Sequence, residues 1–250
     1  MKERRDHMAA LIDEKGYLSF ADLMESFPRV SEMTLRKDLK YLDETGRIIR
    51  VHGGARSLQN VLKGDAPLTE RMSVNILQKR LIAQKATSLL SPGASVFLDS
   101  GSTMFEFAKV FPDIPGTVFC GGLNNLMELS RLHQPDLYVL GGALNKPSKS
   151  VRDAGLSQWM KDIHFDLAFI AVNGYTREQG FNCISAARWE FEKAVLARSS
   201  KIIVLMDSGK VGKSNPFSIC RPQNIDVLVS DDGLPQDMRD QFLELSVPVL

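Results

Sequence analysis

The sequence predicts a small all-α domain followed by a larger α/β domain with a mainly parallel sheet. Two observations support this order. In the first 57 residues, apolar side chains recur every three or four positions over three short segments, and from residue 94 onward short apolar runs alternate with helical stretches. Between them, residues 58–68 lose periodicity and contain Gly64 and Pro67, so they are predicted to form a linker.

The composition is that of an ordinary globular chain. Hydrophobic residues make up 44% and charged residues 24% of the 250 residues, which excludes disorder over the whole chain. The apolar runs are about one strand long, whereas a membrane span needs about 20 residues, so no membrane association is expected. No signal core follows the N-terminus and the three cysteines are widely spaced. We therefore expect a cytoplasmic protein without a metal, a disulfide or a cofactor.

Three short helices are predicted in the first domain. The first spans residues 2–15, and the second begins at Ser19, which forms a capping-box pattern with Asp22. The third extends from an N-cap at Ser31 to a stop at Gly46. The apolar residues that these helices would bury together are Met8, Ala9, Leu11, Ile12, Leu23, Met24, Phe27, Leu35, Leu39 and Leu42.

The other side of the third helix is basic. Residues 29–56 contain seven basic and four acidic side chains, although the whole chain has a net charge of only +1. A β-hairpin around Gly53-Gly54 is predicted next, as a basic wing. A solvated helix face would explain the charge alone, but three helices with a basic third helix and a basic hairpin favour major-groove DNA binding. The residues assigned to DNA contact are Ser31, Met33, Thr34, Arg36, Lys37, Lys40, Arg50, His52, Gly53 and Arg56.

The predicted boundaries are 1–57 for the winged helix-turn-helix domain, 58–68 for the linker and 69–250 for the α/β domain. The second domain is predicted to open with one helix over residues 69–90, ended by Ser91-Pro92-Gly93. Its predicted buried positions are Val74, Leu77, Leu81, Ala86 and Leu89. Its predicted exposed positions are Arg71, Lys79, Arg80 and Lys85.

Strands and helices are then predicted to alternate. The predicted strands are Ser95–Leu98, Thr117–Cys120, Leu137–Leu140, Leu167–Val172, Ile202–Met206 and Val227–Val229. The predicted helices are Met104–Phe111, Leu123–Leu132, Leu156–Ile163, Ala187–Ser199 and Gln236–Leu243. Continuous apolar strands separated by helices indicate a parallel sheet covered on both faces, and ligands of such sheets bind beyond the carboxyl ends of the strands.

Five of those strand ends are followed by loops of small, hydroxyl and charged residues. One glycine pair is usually a plain turn, but five such loops favour a pocket for a phosphorylated small molecule. The sequence contains neither a Walker A motif nor a dinucleotide fingerprint. The residues assigned to the pocket on this basis are Asp99, Ser100, Gly101, Ser102, Thr103, Gly121, Gly122, Gly141, Gly142, Arg152, Asn173, Gly174, Asp207 and Lys210.

The first domain resembles the winged helix-turn-helix of the DeoR family of bacterial sugar-metabolism regulators. The resemblance lies in Val30-Ser-Glu-Met-Thr-Leu-Arg-Lys-Asp-Leu-Lys40, in Leu42-Asp-Glu-Thr-Gly46 and in Arg50-Val-His-Gly-Gly-Ala55. One departure is the entry to the third helix, Phe27-Pro28-Arg29-Val30-Ser31, which is one residue longer than is usual in the family.

The second domain resembles the effector domain of the same family, whose fold is similar to that of ribose-5-phosphate isomerase. The matching segments are Leu98–Thr103, Leu140–Gly142, Asp166–Ile170, Asn173-Gly174, Gly180-Phe181, Glu190–Lys193 and Asp207–Lys210. The resemblance implies that residues 99–103 and Lys210 hold a sugar phosphate, and it adds Glu190 to the effector residues. Two departures would line the pocket. Cys120-Gly121-Gly122 replaces a threonine-asparagine-serine type of segment, and Asn173 stands where aspartate is common.

These features predict a transcriptional repressor of a sugar or sugar-alcohol operon. Its expected partners are double-stranded operator DNA, a phosphorylated sugar effector and further copies of the same chain, as a dimer or a tetramer. The alternative is a phosphosugar isomerase with an accessory DNA-binding domain, which would need carboxylate bases such as Asp99, Glu190 or Asp207 beside Lys210. The expectation is that the protein is not an enzyme, since Asn173 removes one acid and no histidine lies in the candidate loops.

Overall fold

The computed structural model describes residues 2–51, 53–57, 67–152 and 162–250, and at Val51 and Arg152 it describes the backbone alone. The chain divides into two compact units, Met1–Asp65 and Ala66–Leu250. Within the described ranges, no helix has the length and apolar character needed to cross a membrane.

Residues 2–51 and 53–57, the described part of the N-terminal unit, form three helices and a three-stranded sheet. Its helices are α1 (Lys2–Lys15), α2 (Phe20–Ser26) and α3 (Glu32–Glu44). Its strands are β1 (Tyr17–Ser19), β2 (Ile48–Val51) and β3 (Gly54–Ser57), in the order β1-β3-β2. The capping box of Ser19 with Asp22 and the N-cap at Ser31 are both present, as predicted. The sequence predicted only a two-stranded wing, but the link after α1 pairs with β3 as a third strand.

The C-terminal unit is built on a six-stranded parallel sheet in the order β14-β12-β9-β4-β5-β6. These strands are β4 (Ser95–Leu98), β5 (Gly116–Cys120), β6 (Pro135–Val139), β9 (Phe165–Ala171), β12 (Ser199–Leu205) and β14 (Val227–Val229). The helices that cover the sheet are α4 (Leu68–Ser73), α5 (Ile76–Thr87), α6 (Ser102–Val110), α7 (Leu123–Leu129), α8 (Ala186–Leu196) and α9 (Gln236–Glu244). The predicted fold class is confirmed.

Each face of the sheet buries its own apolar cluster. Alternate residues of a strand point to opposite faces, so Leu98 packs in one cluster with Phe107 of α6, whereas Phe97 packs in the other with Phe191 of α8. Helices α5, α6 and α7 contribute to the first cluster. Helices α8 and α9 contribute to the second. Burial on both faces explains why these strands read as continuous apolar runs in the sequence.

Short antiparallel strands complete the unit and were missed by the sequence analysis. They are β7 (Ala143–Asn145) with β8 (Ser150–Arg152), and a sheet of β10 (Gly174–Thr176), β11 (Gly180–Cys183) and β13 (Phe217–Cys220). Strands of three or four residues are too short to show a clear period of two. The predicted helix over residues 156–163 lies mostly outside the described residues.

The single helix predicted over residues 69–90 is wrong. The structure has two helices, α4 and α5, separated at Asn75, whose φ of 52° is left-handed. Because the break shifts the helical phase, Val74 and Leu77 are exposed, and Lys79 is buried instead. The residues of α5 that reach the core are Ile82, Ala83 and Ala86.

Gly174, one of the predicted pocket residues, is required by packing. A Cβ at this position would lie 2.1 Å from the Lys213 carbonyl oxygen and 2.8 Å from Asn182 Oδ1. We expect Gly174→Ala to destabilise the unit by about 2 kcal/mol, because the backbone must move to accept the methyl group. Urea unfolding followed by tryptophan fluorescence measures this, with Gly141→Ala as the control because a Cβ there meets nothing within 4 Å. Equal unfolding midpoints for the two variants would contradict the packing argument.

Candidate functional site

The outer face of α3 is an exposed basic surface. Arg36, Lys37 and Lys40 are all solvent-exposed, and Met33 is 67% exposed beside them. A shallow depression is lined by Glu32, Met33, Arg36, Lys37, Lys40 and Arg50, so the wing contributes one cation to the same surface. We call these six residues the recognition face. An exposed methionine among cations suits contact with a thymine methyl group and the phosphates around it.

Arg36 is held in a defined orientation on this face. Its Nη2 and Nε donate to Glu32 Oε1 at 2.7 and 2.9 Å, and its guanidinium lies 4.4 Å from the centre of the Phe20 ring in α2. Both side chains of the ion pair remain 59% exposed. Because Glu32 takes the Nε–Nη2 edge of the guanidinium, the Nη1–Nη2 edge is the one suited to bidentate contact with a guanine edge.

The N-terminus of α3 and the wing hold the remaining predicted DNA-contact residues. Ser31 Oγ accepts the Thr34 N–H at 3.3 Å and lies 2.9 Å from the Thr34 hydroxyl, so both hydroxyl groups are at the start of the helix. Gly53 is exposed with a φ of 80°. The Arg50 N–H donates to Asp43 Oδ1 at 3.0 Å and thereby ties the wing to the end of α3. His52 lies outside the described residues.

Arg56 is placed differently from the other predicted contact residues. It lies in the central strand β3, opposite Tyr17, and is only 5% exposed. Its guanidinium stacks 5.2 Å from the Tyr17 ring centre, and burial lowers its pKa to about 10. The sequence analysis assigned Arg56 to DNA contact in the wing because it did not predict the pairing of β1 with β3.

Asp38 is a structural acid that the sequence analysis did not identify. It lies on the buried side of α3 and is 1% exposed. Arg4 Nε and Arg5 Nε of α1 each donate to one of its oxygens at 2.7 Å. Its spacing from Leu35 and Leu42 puts Asp38 on the apolar face of α3, and this pattern could have indicated a buried acid. This double ion pair fixes the orientation of the recognition face relative to α1.

Loss of that ion pair is expected to loosen the N-terminal unit. We expect Asp38→Asn to destabilise it by about 2 kcal/mol, less than a fully buried pair because both arginines are partly exposed. Hydrogen–deuterium exchange of the α1 and α3 amides measures the effect. Glu25→Gln, an exposed acid on α2, is the control. Unchanged exchange in Asp38→Asn would show that the two ion pairs add no net stability.

The second candidate site lies where the strand order of the parallel sheet reverses. The chain proceeds outward from β4 through β5 to β6 and then returns to β9 on the other side of β4. Asp99 follows β4 and Asn173 follows β9, so both lie at the carboxyl ends that flank this switch point. Open α/β sheets bind their ligands in the crevice that such a reversal creates.

Arg188 of α8 joins the two sides of this crevice. Its Nη2 donates to Asp99 Oδ2 at 3.0 Å and to the Ala171 carbonyl oxygen, and its Nη1 donates to Asn173 Oδ1 at 2.8 Å. Its Nε donates to Glu192 Oε1. The exposed fractions of Arg188, Asp99 and Glu192 are 3%, 0% and 0%. The buried Arg188 guanidinium therefore binds two buried carboxylates. Asn173, which departs from the family pattern, accepts a further hydrogen bond from it.

The glycine pair after β5 packs against the Asp99 loop. A Cβ on Gly122 would lie 3.1 Å from Ser100 Cα, so a larger residue would press on that loop. Asn125 of α7 donates its side-chain N–H to the Asp99 carbonyl oxygen at 2.7 Å. Ser100, Ser102 and Thr103 are buried around this point. Cys120, the other member of the departing segment, is fully buried, and this raises the pKa of its thiol to about 12.

Asp207 and Lys210 lie in the loop after β12, the strand next to β9, and the other remaining predicted residues are dispersed. Asp207 is 1% exposed at the end of β12, and Lys210 closes the short 3₁₀ turn after it, with its N–H donating to the Asp207 carbonyl oxygen at 2.9 Å. Gly142 is exposed at the start of the β7–β8 hairpin. Glu190 is exposed on α8, whereas Arg188 and Glu192 are buried. The i, i+4 spacing of an arginine and a glutamate could have identified that pair. Only the backbone of Arg152 is described, in β8.

A winged helix-turn-helix with an exposed basic recognition face, joined to an α/β unit with a polar crevice at its switch point, defines a ligand-responsive DNA-binding regulator. Residues 4–61 match the DeoR-like helix-turn-helix domain and residues 74–232 match the DeoR C terminal sensor domain. The chain belongs to the DeoR family of transcriptional regulators. The C-terminal unit is called the sensor unit below.

Relatives named as transcriptional regulators align over almost the full chain. The putative aga operon transcriptional repressor of Escherichia coli O157:H7 is 28% identical over 99% of this chain and 93% of the relative. The regulator GolR of Listeria innocua is 29% identical over 99% of this chain and 97% of the relative. The lactose phosphotransferase system repressor of Staphylococcus epidermidis is 27% identical over 92% of both chains. These names support the predicted transcriptional regulator over the isomerase alternative.

Solved structures show a more distant similarity. Ribose 5-phosphate isomerase A of Methanocaldococcus jannaschii covers 55% of this chain and 55% of its own chain, with 17% identity and a TM-score of 0.41.

Proposed function

We propose that this protein represses a sugar or sugar-alcohol operon and that a phosphorylated sugar in the sensor crevice controls its affinity for operator DNA. The observation that carries the proposal is the pairing of an exposed recognition face with a buried, hydrogen-bonding crevice in one chain. An effector that weakens operator binding must, by linkage, bind the DNA-free protein better by the same factor. The name of one relative, the lactose phosphotransferase system repressor, supports a sugar operon as the set of regulated genes.

The protein is proposed to bind DNA as a homo-oligomer in the cytoplasm. Two recognition helices that enter successive major grooves on one face of a duplex need half-sites about 34–36 Å apart. One helix-turn-helix reads only a few base pairs, so a dimer or a tetramer supplies the specificity that a monomer lacks. A palindromic operator is therefore expected.

The isomerase alternative is disfavoured by the crevice. Of the three carboxylates considered as bases, Asp99 is bound by Arg188, Glu190 is exposed on α8, and Asp207 accepts a hydrogen bond from Asn75. A general base must reach a substrate proton while it is able to accept it, and a guanidinium bond opposes that. Incubation with phosphosugars, followed by NMR detection of any ketose–aldose conversion, tests this alternative.

The test of the proposed function joins both sites. The full-length protein selects its operator from a pool of random duplexes, and sugar phosphates are then titrated into the complex. Release of the operator DNA by one of these compounds supports the proposal. Lys210→Ala is expected to bind the operator like wild type, but the sugar phosphate should change its operator affinity less. If no phosphorylated sugar changes operator affinity in either direction, the proposed control is wrong.

A further inference from the structure

The α4–α5 segment contacts the loop after β4 and the loop after β12, which is the strand next to β9. At the break between them, Asn75 Nδ2 donates to Asp207 Oδ1 at 2.7 Å. A Cβ on Gly209 would lie 2.8 Å from the same Asn75 nitrogen, so the contact requires glycine at position 209. The loop after β12 is therefore fitted closely to the α4–α5 break.

One helical turn before Asn75, Arg71 reaches the other loop. Its Nη1 lies 3.7 Å from the position that a Cβ would take on Gly101. Gly101 has a φ of 122° and is the N-cap of the nine-residue helix α6, where no side chain caps the helix. The guanidinium is thus next to a helix start whose first N–H groups have no partner within the helix.

Lys79 fixes the backbone that carries Arg71. It is 4% exposed, and its ammonium donates to the Arg71 carbonyl oxygen at 2.6 Å and to the Val74 carbonyl oxygen. Burial lowers the pKa of Lys79, the negative charge of Asp207 raises it, and the positive charge of Arg71 lowers it. Lys79 and Arg71 therefore lie within electrostatic range of each other and of Asp207.

Two buried carboxylate oxygens lie in the loops that this side of the crevice covers. Asp99 Oδ1 and Asp207 Oδ2 have no hydrogen-bond partner among the described residues. Asp99 is 0% exposed and Asp207 is 1% exposed. A buried unpaired acceptor is costly, so a ligand that supplies donors would be favoured there. Hydroxyl groups of a sugar or polyol are donors of this kind.

We propose that Arg71, together with the uncapped N-terminus of α6, binds the phosphate group of the effector, while Asp99 Oδ1 and Asp207 Oδ2 accept hydrogen bonds from its hydroxyl groups. This inference rests on the proposed function. It adds Arg71, a residue of α4 outside the strand-end loops, to the groups that bind the phosphate. A planar guanidinium binds phosphate with two parallel hydrogen bonds, which a lysine cannot do.

Arg71 lies near the boundary between the two units of the chain. Helix α4 is the first described helix after that boundary. The inference therefore places a phosphate ligand at the start of the sensor unit.

The experiment measures ligand affinity of the full-length protein by thermal shift. The probes are ribose 5-phosphate, glucose 6-phosphate, fructose 6-phosphate, glucitol 6-phosphate and glycerol 3-phosphate, each beside its unphosphorylated parent, with inorganic phosphate as a further probe. The variants are Arg71→Gln and Arg71→Lys. Arg80→Gln is the matched control, since Arg80 is an exposed cation of α5 that pairs with Glu106.

The expected result is selective. Arg71→Gln lowers the affinity for the phosphorylated compound at least tenfold and leaves the affinity for its unphosphorylated parent unchanged. The ratio of the two affinities therefore falls. The affinity of Arg71→Lys for the phosphorylated compound lies between those of Arg71→Gln and the wild type. Arg80→Gln behaves as wild type. Wild-type affinity in Arg71→Gln, with the unliganded melting temperature unchanged, overturns the inference alone. A wild-type protein that responds to no phosphorylated probe overturns the proposed function as well.

Discussion

Replacement of Arg188 by methionine is expected to destabilise the sensor unit by about 4 kcal/mol, because removal of one partner from a buried ion pair leaves uncompensated charge. Asp99 and Glu192 are both fully buried, and each accepts a hydrogen bond from this one guanidinium. Methionine fills a similar volume but donates no hydrogen bond. Urea unfolding followed by tryptophan fluorescence measures the loss.

Two further variants separate the charge effect from a packing effect. Arg188→Met combined with Asp99→Asn and Glu192→Gln removes all three charges, so it is expected to recover a large part of the lost stability. Glu190→Gln, an exposed acid on the same helix, is expected to unfold like wild type. If the triple variant is no more stable than Arg188→Met, the uncompensated carboxylates are not the cause.

The same triple variant also tests the role of the crevice. Its stability is restored, but Asp99 no longer offers a carboxylate to the ligand. We therefore expect it to fold and yet to lose the thermal shift with the phosphosugar that stabilises wild type. Such a result would mean that the charged groups of this cluster contribute to ligand binding, and that their contribution is not limited to the fold.

Local rules predicted the elements that are set by local interactions. Ser31 marks the start of α3 because its hydroxyl satisfies a helix N–H, and an i, i+4, i+7 leucine pattern marks the buried face. The parallel strands were found because burial on both faces makes each one an apolar run. The Asp99 and Asn173 loops were placed near each other because strand ends in a parallel sheet share one edge.

Features set by tertiary contacts could not be predicted in the same way. The burial of Arg56 depends on the pairing of β1 with β3, which local sequence does not encode. The break at Asn75 is stabilised by Asp207, which lies 132 residues away. The hydrogen bonds of Arg188 could not be predicted, since its partners Asp99 and Asn173 follow strands that are distant in the sequence. Such contacts override local propensity.

Arg36→Ala is expected to weaken binding to the selected operator about 100-fold, since a bidentate arginine–guanine contact is worth about 1–3 kcal/mol and a symmetric dimer makes it twice. The structure supports this choice of residue. Arg36 is exposed on the recognition face and oriented by Glu32 and Phe20, so its fork is ready to meet a base edge. Fluorescence anisotropy with the selected duplex and with a scrambled duplex measures the affinity and the preference.

Charge-matched variants distinguish base readout from phosphate attraction. Lys15→Ala removes an exposed cation of α1, outside the recognition face, and is expected to leave operator affinity unchanged. Lys37→Ala removes an expected phosphate contact from each protomer of a dimer, so it should weaken binding to both duplexes equally and reduce the salt slope by about 2. Arg36→Ala should instead weaken the operator far more than the scrambled duplex. If Arg36→Ala keeps the full wild-type preference for the operator over the scrambled duplex, Arg36 does not read a base. If its affinity for both duplexes falls equally, Arg36 contacts only phosphate.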